Sequence, residues 1–342
     1  DPGRRRLAAE VSRRPAGVSA VAGSDVYYDP YDFDIDVDPY PGWKRLRDEA
    51  PLYYNEKHDF YAVSRFDDVE ACSVDWRTYI SGRGSVLEMI KAGVEMPPGM
   101  ILFEDPPDHD RHRSLLSRVF TPKRMLDIEP KVREFCVRTL DPLVGAGGFD
   151  FVGDLGAPIP MRTIGMLLGI PEDDQESIRQ RMDDTMRLDS AAPTGRSADP
   201  SGAFSTEDFG AYVDWRAENP SDDLMTDLLN AELEDEDGSM RRLRRDEILN
   251  YLGLLAAAGN ETTTRLMGWA GKVLAEHPDQ RAELAADPSL VPKAVEELLR
   301  YEAPSPVQAR YVTKDVEHHG GPVPEGSGLV LLTAAGNRVG RQ

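Results

Sequence analysis

The sequence predicts a mainly helical fold with a small β portion, and three observations predict it. Apolar residues recur at helical spacing through most of the stretch from residue 108 to residue 301. Short β-rich runs bounded by Gly, Pro and Asn turns occur at PLYYNEKHDFYAVSRF and again after Ser305. Hydrophobic residues make up 40% of the 342, enough for a sizeable core without the help of a cysteine framework.

Residues 1–24 are basic and rich in small residues, with no continuous apolar segment, so a disordered leader is expected there. Residues 25–342 are expected to form one domain. Pro41 to Ala50 has the pattern of a short amphipathic helix. Two apolar runs around Asn55 to Asp59 predict a β-hairpin, and FDDVEACSVDW resumes helix with Cys72 in its apolar pattern. A loop with short helices is expected from Ser81 to about Met100. HDRHRSLLSRVF has helical spacing. In MLDIEPKVREFCVRTLDPLV, residues Ile128, Val132, Phe135, Cys136 and Leu140 fall on one side of a helix.

Helices are expected at 160–169, 172–189 and 205–217, with a mobile Ser-, Gly- and Pro-rich connection from Ser190 to Ser205. LEDEDGSMRRLRR reads as a charged loop or short hairpin. A long helix should start with Asp246 as its N-cap and run to His277, where Pro278 stops it. At 1.5 Å per residue it spans roughly 45 Å, enough to cross a whole domain. Two shorter helices follow, ending in VPKAVEELLRY, and SPVQARYVTKDVEHHGGPVPEGSGLVLLTAAG should form a few strands.

Acidic residues number 61 against 40 basic ones, for a net charge of −21. That balance disfavours nucleic acid and anionic membranes. Cys72 and Cys136 are far apart and in no CxxC pair, which argues against cysteine-based zinc and for a reducing cytoplasm. Both read as buried, inert thiols. No apolar run is long enough for a transmembrane helix.

Four patterns stand out. The long helix carries LLAAAGNETTTRL at its midpoint. Glycine and β-branched threonine are poor helix formers, and local conflicts of this kind often mark functional sites. Threonine can turn its hydroxyl onto the preceding turn, so a gap in the ladder beside Ala258 and Gly259 is expected to leave room for a small ligand. Glu261 and Thr262 then offer an acid and a hydroxyl side by side for proton relay. Glu297 and Arg300 lie at i and i+3 on one helix face, where such pairs are common. His109 and Arg113 lie at i and i+4 just after the helix-start signal Asp105-Pro106-Pro107, and two such donors suit a carboxylate or phosphate. Arg310 lies in the strand-like VQARYV and faces either an anion or solvent.

In this order, the four patterns together resemble the cytochrome P450 family, specifically its soluble bacterial type, from about residue 25 to Arg338. The resemblance implies the P450 fold and a haem-dependent monooxygenase acting on a small-to-medium hydrophobic substrate. It implies haem b, with His109 and Arg113 holding one propionate and Arg310 the other. Ala258 and Gly259 flank the dioxygen groove, Thr262 hydrogen-bonds the dioxygen, Glu261 helps supply protons, and Glu297 and Arg300 form the structural ExxR pair.

A ferredoxin- or flavodoxin-type electron donor is implied as well. Such donors are usually acidic, which sits oddly with −21, although Arg111, Arg113 and Arg118 offer local basic charge. Substrate is expected to enter beneath the Ser81–Met100 loop and the Ser190–Ser205 connection, with SVLEMIKAGVEM supplying apolar contacts. AAGNR resembles the family's next signature, but the Gly- and Phe-rich loop with the proximal cysteine, and the helix behind it, do not follow. The chain is therefore expected to lack the proximal haem ligand, to bind haem weakly and to be inactive alone. The alternative is a haem-free, P450-like helper of a partner enzyme. A third reading, Asp183 to Asp189 as the magnesium motif of a helical terpene cyclase, has loose spacing and no second motif.

Overall fold

The computed structural model describes residues 25–93, 99–186, 209–235 and 238–338, and the expected leader and the Ser190–Ser205 connection lie outside them. The Asp183–Asp189 motif lies outside the described side chains, as does the side chain of Arg118.

The sheet begins with the expected hairpin, β1 (Leu52–Asn55) and β2 (Phe60–Val63). Preceding it are α1 (Phe33–Val37) and α2 (Tyr40–Glu49). Asn55 accepts from the His58 backbone N–H through its side chain at 2.8 Å, which tightens the turn. After α3 (Phe66–Val74) and the two-residue β3 (Tyr79–Ile80), the chain leaves the sheet for more than two hundred residues. It returns as β6 (Gln308–Val312) and β9 (Gly328–Leu331), giving the order β1-β2-β9-β6-β3. β2 and β9 pair in parallel and the other neighbours antiparallel. Both strands are buried along their whole length, as strands covered on two faces must be. A separate hairpin, β7 (Val316–His318) with β8 (Gly321–Val323), flanks this sheet.

Between the two visits to the sheet lie the helices. They are α4 (Leu87–Ala92), α5 (Asp108–Val119), α6 (Pro122–Leu140), α7 (Pro158–Leu168), α8 (Glu172–Met186), α9 (Gly210–Glu218) and α10 (Leu224–Asn230). The charged segment is a hairpin, β4 (Glu232–Glu234) and β5 (Met240–Arg242). The long helix α11 spans Arg245–Glu276, followed by α12 (Pro278–Ala286), α13 (Val291–Tyr301) and α14 (Thr333–Asn337). A π-helical turn at Phe151–Gly156, which no periodicity announced, sits against α11.

One expectation is corrected. Asp246 is not the N-cap of α11; Arg244 is, two residues earlier, and the helix begins at Arg245. Glu247 accounts for the difference by reaching back to accept the Arg244 backbone N–H at 2.7 Å. Its carboxylate also receives both Arg241 guanidinium nitrogens, at 2.7 and 2.8 Å, so hairpin and helix are locked at a position 1% exposed.

The main helical core joins Ile248, Tyr251, Leu252 and Leu254 of α11 to Met161, Ile164 and Leu168 of α7 and to Leu224 and Leu228 of α10. Burial on α11 stops at Asn260, and the rest of the helix is half-buried or exposed. Helices α12 and α13 bury no residue fully. Among the described residues, no helix is long and apolar enough to cross a membrane.

The N-terminal edge is fixed by Asp29, which is 2% exposed. Its carboxylate accepts from Tyr27 Oη, Lys57 Nζ, His58 Nε2 and the Tyr31 backbone N–H, at 2.9 to 3.0 Å. Burial pushes the carboxyl pKa up, but these donors outweigh it and bring it down to about 2. A carboxylate depressed in the folded state stabilises the protein above its unfolded value, and that stability fades as pH falls through the folded value. Acid titration followed by tryptophan fluorescence should show Asp29→Asn losing less stability than wild type between about pH 4 and pH 2. Identical acid profiles would refute the role of Asp29.

Candidate functional site

The site is built around the middle of α11. The helix runs unbroken from Arg245 to Glu276, with no interruption beside Ala258. Its threonine does turn back on the ladder, since Thr262 Oγ1 donates to the Ala258 carbonyl at 2.8 Å. Ala258 is exposed, and Glu261 and Thr262 are half-buried. Gly259 lies against α7, where a Cβ would meet Ile164 Cδ1 at 3.4 Å. Glu261 faces Arg265, one turn on, with 3.8 Å between Oε1 and Nε.

Arg265 also lines a cleft of about 290 Å³ between α1, the start of α4 and the loop leading into β6. The apolar walls include Phe33, Val86, Leu87, Val307 and Val330. Val86 and Leu87 come from the SVLEMIKAGVEM stretch, whereas Met89 turns away into a cluster with Met100 and Phe103. Neither cysteine lines the cleft. Cys72 is buried beside Tyr79 and His318, and burial pushes its thiol up to about 12. Cys136 is half-buried on α6, and burial raises its pKa as well.

The cation-bearing residues come from two elements. On β6, Arg310 is held by hydrogen bonds to the Ala309 carbonyl at 2.9 Å and to Gln308 Oε1 at 3.2 Å. It has no ion-pair partner among the described residues. Burial pulls its pKa down, and the nearest opposing influence is Asp105. Asp105 accepts the Ser81 and Gly82 backbone N–H groups at 2.9 and 2.8 Å and precedes the Pro106-Pro107 entry into α5. Thus Arg310 is set near the start of the helix that carries His109 and Arg113. The His109 ring bonds its neighbour Asp110 through Nδ1 at 3.1 Å, and Arg113 has no ion-pair partner among the described residues.

Glu297 and Arg300 form a bidentate pair, at 2.5 and 2.8 Å. A third guanidinium nitrogen of Arg300 reaches the Asn337 carbonyl at 2.7 Å, so the pair ties α13 to α14. Sequence reasoning missed His112. Three residues on from His109, its ring turns inward, bonds Glu104 Oε2 through Nδ1 at 2.7 Å and lies edge-on to Tyr251. Glu104 in turn accepts the Gly99 N–H at 2.7 Å, which anchors the loop ahead of α5. His112 is also flanked by the apolar positions Leu115 and Leu116 on the buried side, a signal that was available in the helical spacing. Among the described residues, no group of three His, Cys, Asp or Glu side chains is arranged to hold a metal ion.

No family model matches the chain. Curated proteins do. The chain is 40% identical over 326 residues to a Mycobacterium tuberculosis protein named as a cytochrome P450 123, covering 94% of this chain and 79% of that one. It is 33% identical over 317 residues to cytochrome P450 130 of the same organism, covering 89% and 76%. It is 34% identical over 307 residues to the vitamin D(3) 25-hydroxylase of Pseudonocardia autotrophica, covering 88% and 73%. Among solved structures, cytochrome P450 CYP109Q5 from Chondromyces apiculatus superposes with a TM-score of 0.76 at 30% identity, covering 90% and 76%. CalO2 gives 0.77 at 30%, covering 93% and 80%.

Proposed function

The chain belongs to the cytochrome P450 family of haem monooxygenases, and we propose that Arg310, His109 and Arg113 hold the haem b carboxylates while Glu261 and Thr262 manage protons. The observation that carries this reading is Arg310, a half-buried arginine without an ion-pair partner among the described residues, in a chain with 61 acidic residues. A desolvated guanidinium without a paired carboxylate is costly, and a cofactor carboxylate would relieve that cost. Arg113 is exposed and also has no ion-pair partner among the described residues, so it is free to meet an anion at the surface of α5. These donors fit haem, whose two propionates need cations at its edge.

When bound, haem supplies the activation of dioxygen for the overall conversion RH + O2 + 2e⁻ + 2H⁺ → ROH + H2O. The chain's own residues bind, orient and supply protons. The Thr262 hydroxyl can turn from the Ala258 carbonyl toward the haem side, and Glu261 passes protons from solvent. Apolar walls around Val86, Leu87 and Val307 exclude water and suit a hydrophobic substrate. A ferredoxin- or flavodoxin-type protein supplies the two electrons.

Hemin titration of the chain, followed at the Soret band, tests the reading. Arg310→Leu should weaken hemin binding by roughly tenfold or more, as expected for losing a charge-assisted hydrogen bond in a partly buried site. Arg77→Leu, whose guanidinium stacks over the Trp76 ring instead, should leave it unchanged. Equal affinity in wild type and Arg310→Leu would overturn the assignment.

A further inference from the structure

Ala258, Glu261, Thr262 and Arg265 fall at i, i+3, i+4 and i+7 of α11, so they share one face. Arg265 is the member of that face that lines the cleft, and it is the cleft's single cation among the described residues. The four side chains are secured very differently. Ala258 has no torsion to fix. Thr262 rests in a single bond to the Ala258 carbonyl, from which its hydroxyl can turn. Glu261 has three side-chain torsions, is 41% exposed and has one cationic neighbour among the described residues, the Arg265 guanidinium at 3.8 Å. The order, acid first and base four residues later, is the favourable one on a helix. At that distance the guanidinium restrains the carboxylate by charge without capping its oxygen in a tight hydrogen bond.

From this geometry we infer that Arg265 is the positioning residue for Glu261. It holds the carboxylate on the cleft side of α11, beside Thr262, and leaves an oxygen open for water. The inference rests on Glu261 being the proton-supplying acid. Without Arg265 the carboxylate samples all its rotamers into solvent, and the proton path to the Thr262 side is broken for most of the time.

The test uses Arg265→Gln, Arg265→Lys and Glu261→Gln. The first readout needs no turnover. In protein labelled with ¹³C at glutamate carboxyls, the Glu261 resonance is the one absent from Glu261→Gln. It should move in Arg265→Gln and stay near its wild-type position in Arg265→Lys.

The second readout is O-dealkylation of the probe 7-ethoxycoumarin by haem-loaded protein that carries the proximal cysteine segment, with a ferredoxin and its reductase. Arg265→Gln should lower kcat about tenfold, part of the 10²–10⁴ that a positioned acid contributes, with KM changed less than twofold and more electrons lost to hydrogen peroxide. Arg265→Lys should recover most of kcat. An unmoved resonance, or a KM change with kcat intact, overturns the positioning role and makes Arg265 a substrate contact or a bystander. If Glu261→Gln itself leaves kcat and peroxide release unchanged, Glu261 is not the acid, and the reading beneath the inference fails instead.

Discussion

Glu247→Ala should destabilise the protein by about 3–5 kcal/mol, the cost of breaking a buried ion pair on one side. Glu247 is 1% exposed and meets two nitrogens of Arg241, the Arg244 backbone N–H and, at 3.0 Å, the Arg244 guanidinium. Removing its carboxylate leaves the Arg241 guanidinium without its main partner and the first turn of α11 without its reciprocal cap. Asp235, at 2.9 Å from Nε, and the Arg242 carbonyl, at 3.2 Å from Nη1, would still hold Arg241. Burial alone raises the Glu247 pKa, and the Arg241 and Arg244 bonds reverse that to a net lowering. Its contribution is therefore present above the ordinary carboxylate range and fades as pH falls through the lowered folded value. Urea unfolding at neutral pH measures the cost. The double variant Glu247→Leu with Arg241→Leu should regain most of it, because a matched apolar pair avoids both desolvation penalties. A loss below about 1 kcal/mol for Glu247→Ala would show that the hairpin β4–β5 is not held by this pair.

In haem-loaded protein that carries the proximal cysteine segment, Thr262→Val should cut product formation per electron consumed by roughly tenfold or more, with little change in stability. Valine keeps the branched shape and removes only the hydroxyl. The lost bond to the Ala258 carbonyl is at a half-buried position and internal to the helix, so the expected cost is about 1 kcal/mol or less. Electrons that no longer reach product should appear as hydrogen peroxide, measured beside oxygen and NADH consumption. Unchanged coupling in Thr262→Val would remove Thr262 from the proton path, whatever happened to Glu261.

Much of the helical pattern was readable because it depends on period. The apolar spacing of α6 and the stop at Pro278 are local properties, and so is the β-hairpin at Asn55 to Asp59. The start of α11 was not readable to the residue. It depends on Glu247 finding Arg241 across a hairpin, and the pattern S/T/D/N-before-helix pointed to Asp246 instead. The π-helical turn at Phe151–Gly156 was also invisible, because it follows from packing against α11 rather than from any period in FVGDLG.

The same division runs through the site. The resemblance to the P450 family, carried by four patterns in a fixed order, marked Glu261, Thr262, Glu297, Arg300, His109, Arg113 and Arg310 as expected members of one constellation. Sequence also determined that Glu297 and Arg300 share a face, because three residues are nearly one helical turn. Only the tertiary structure decided what surrounds them. It placed Arg310 near Asp105, more than two hundred residues away, by returning the chain to the sheet as β6 beside β3. It also turned His112 inward onto Glu104 while His109 stayed at the surface, and laid Arg265 along the cleft. Spacing fixes which side chains share a face of a helix; which face meets core, cleft or solvent depends on neighbours that are distant in the chain.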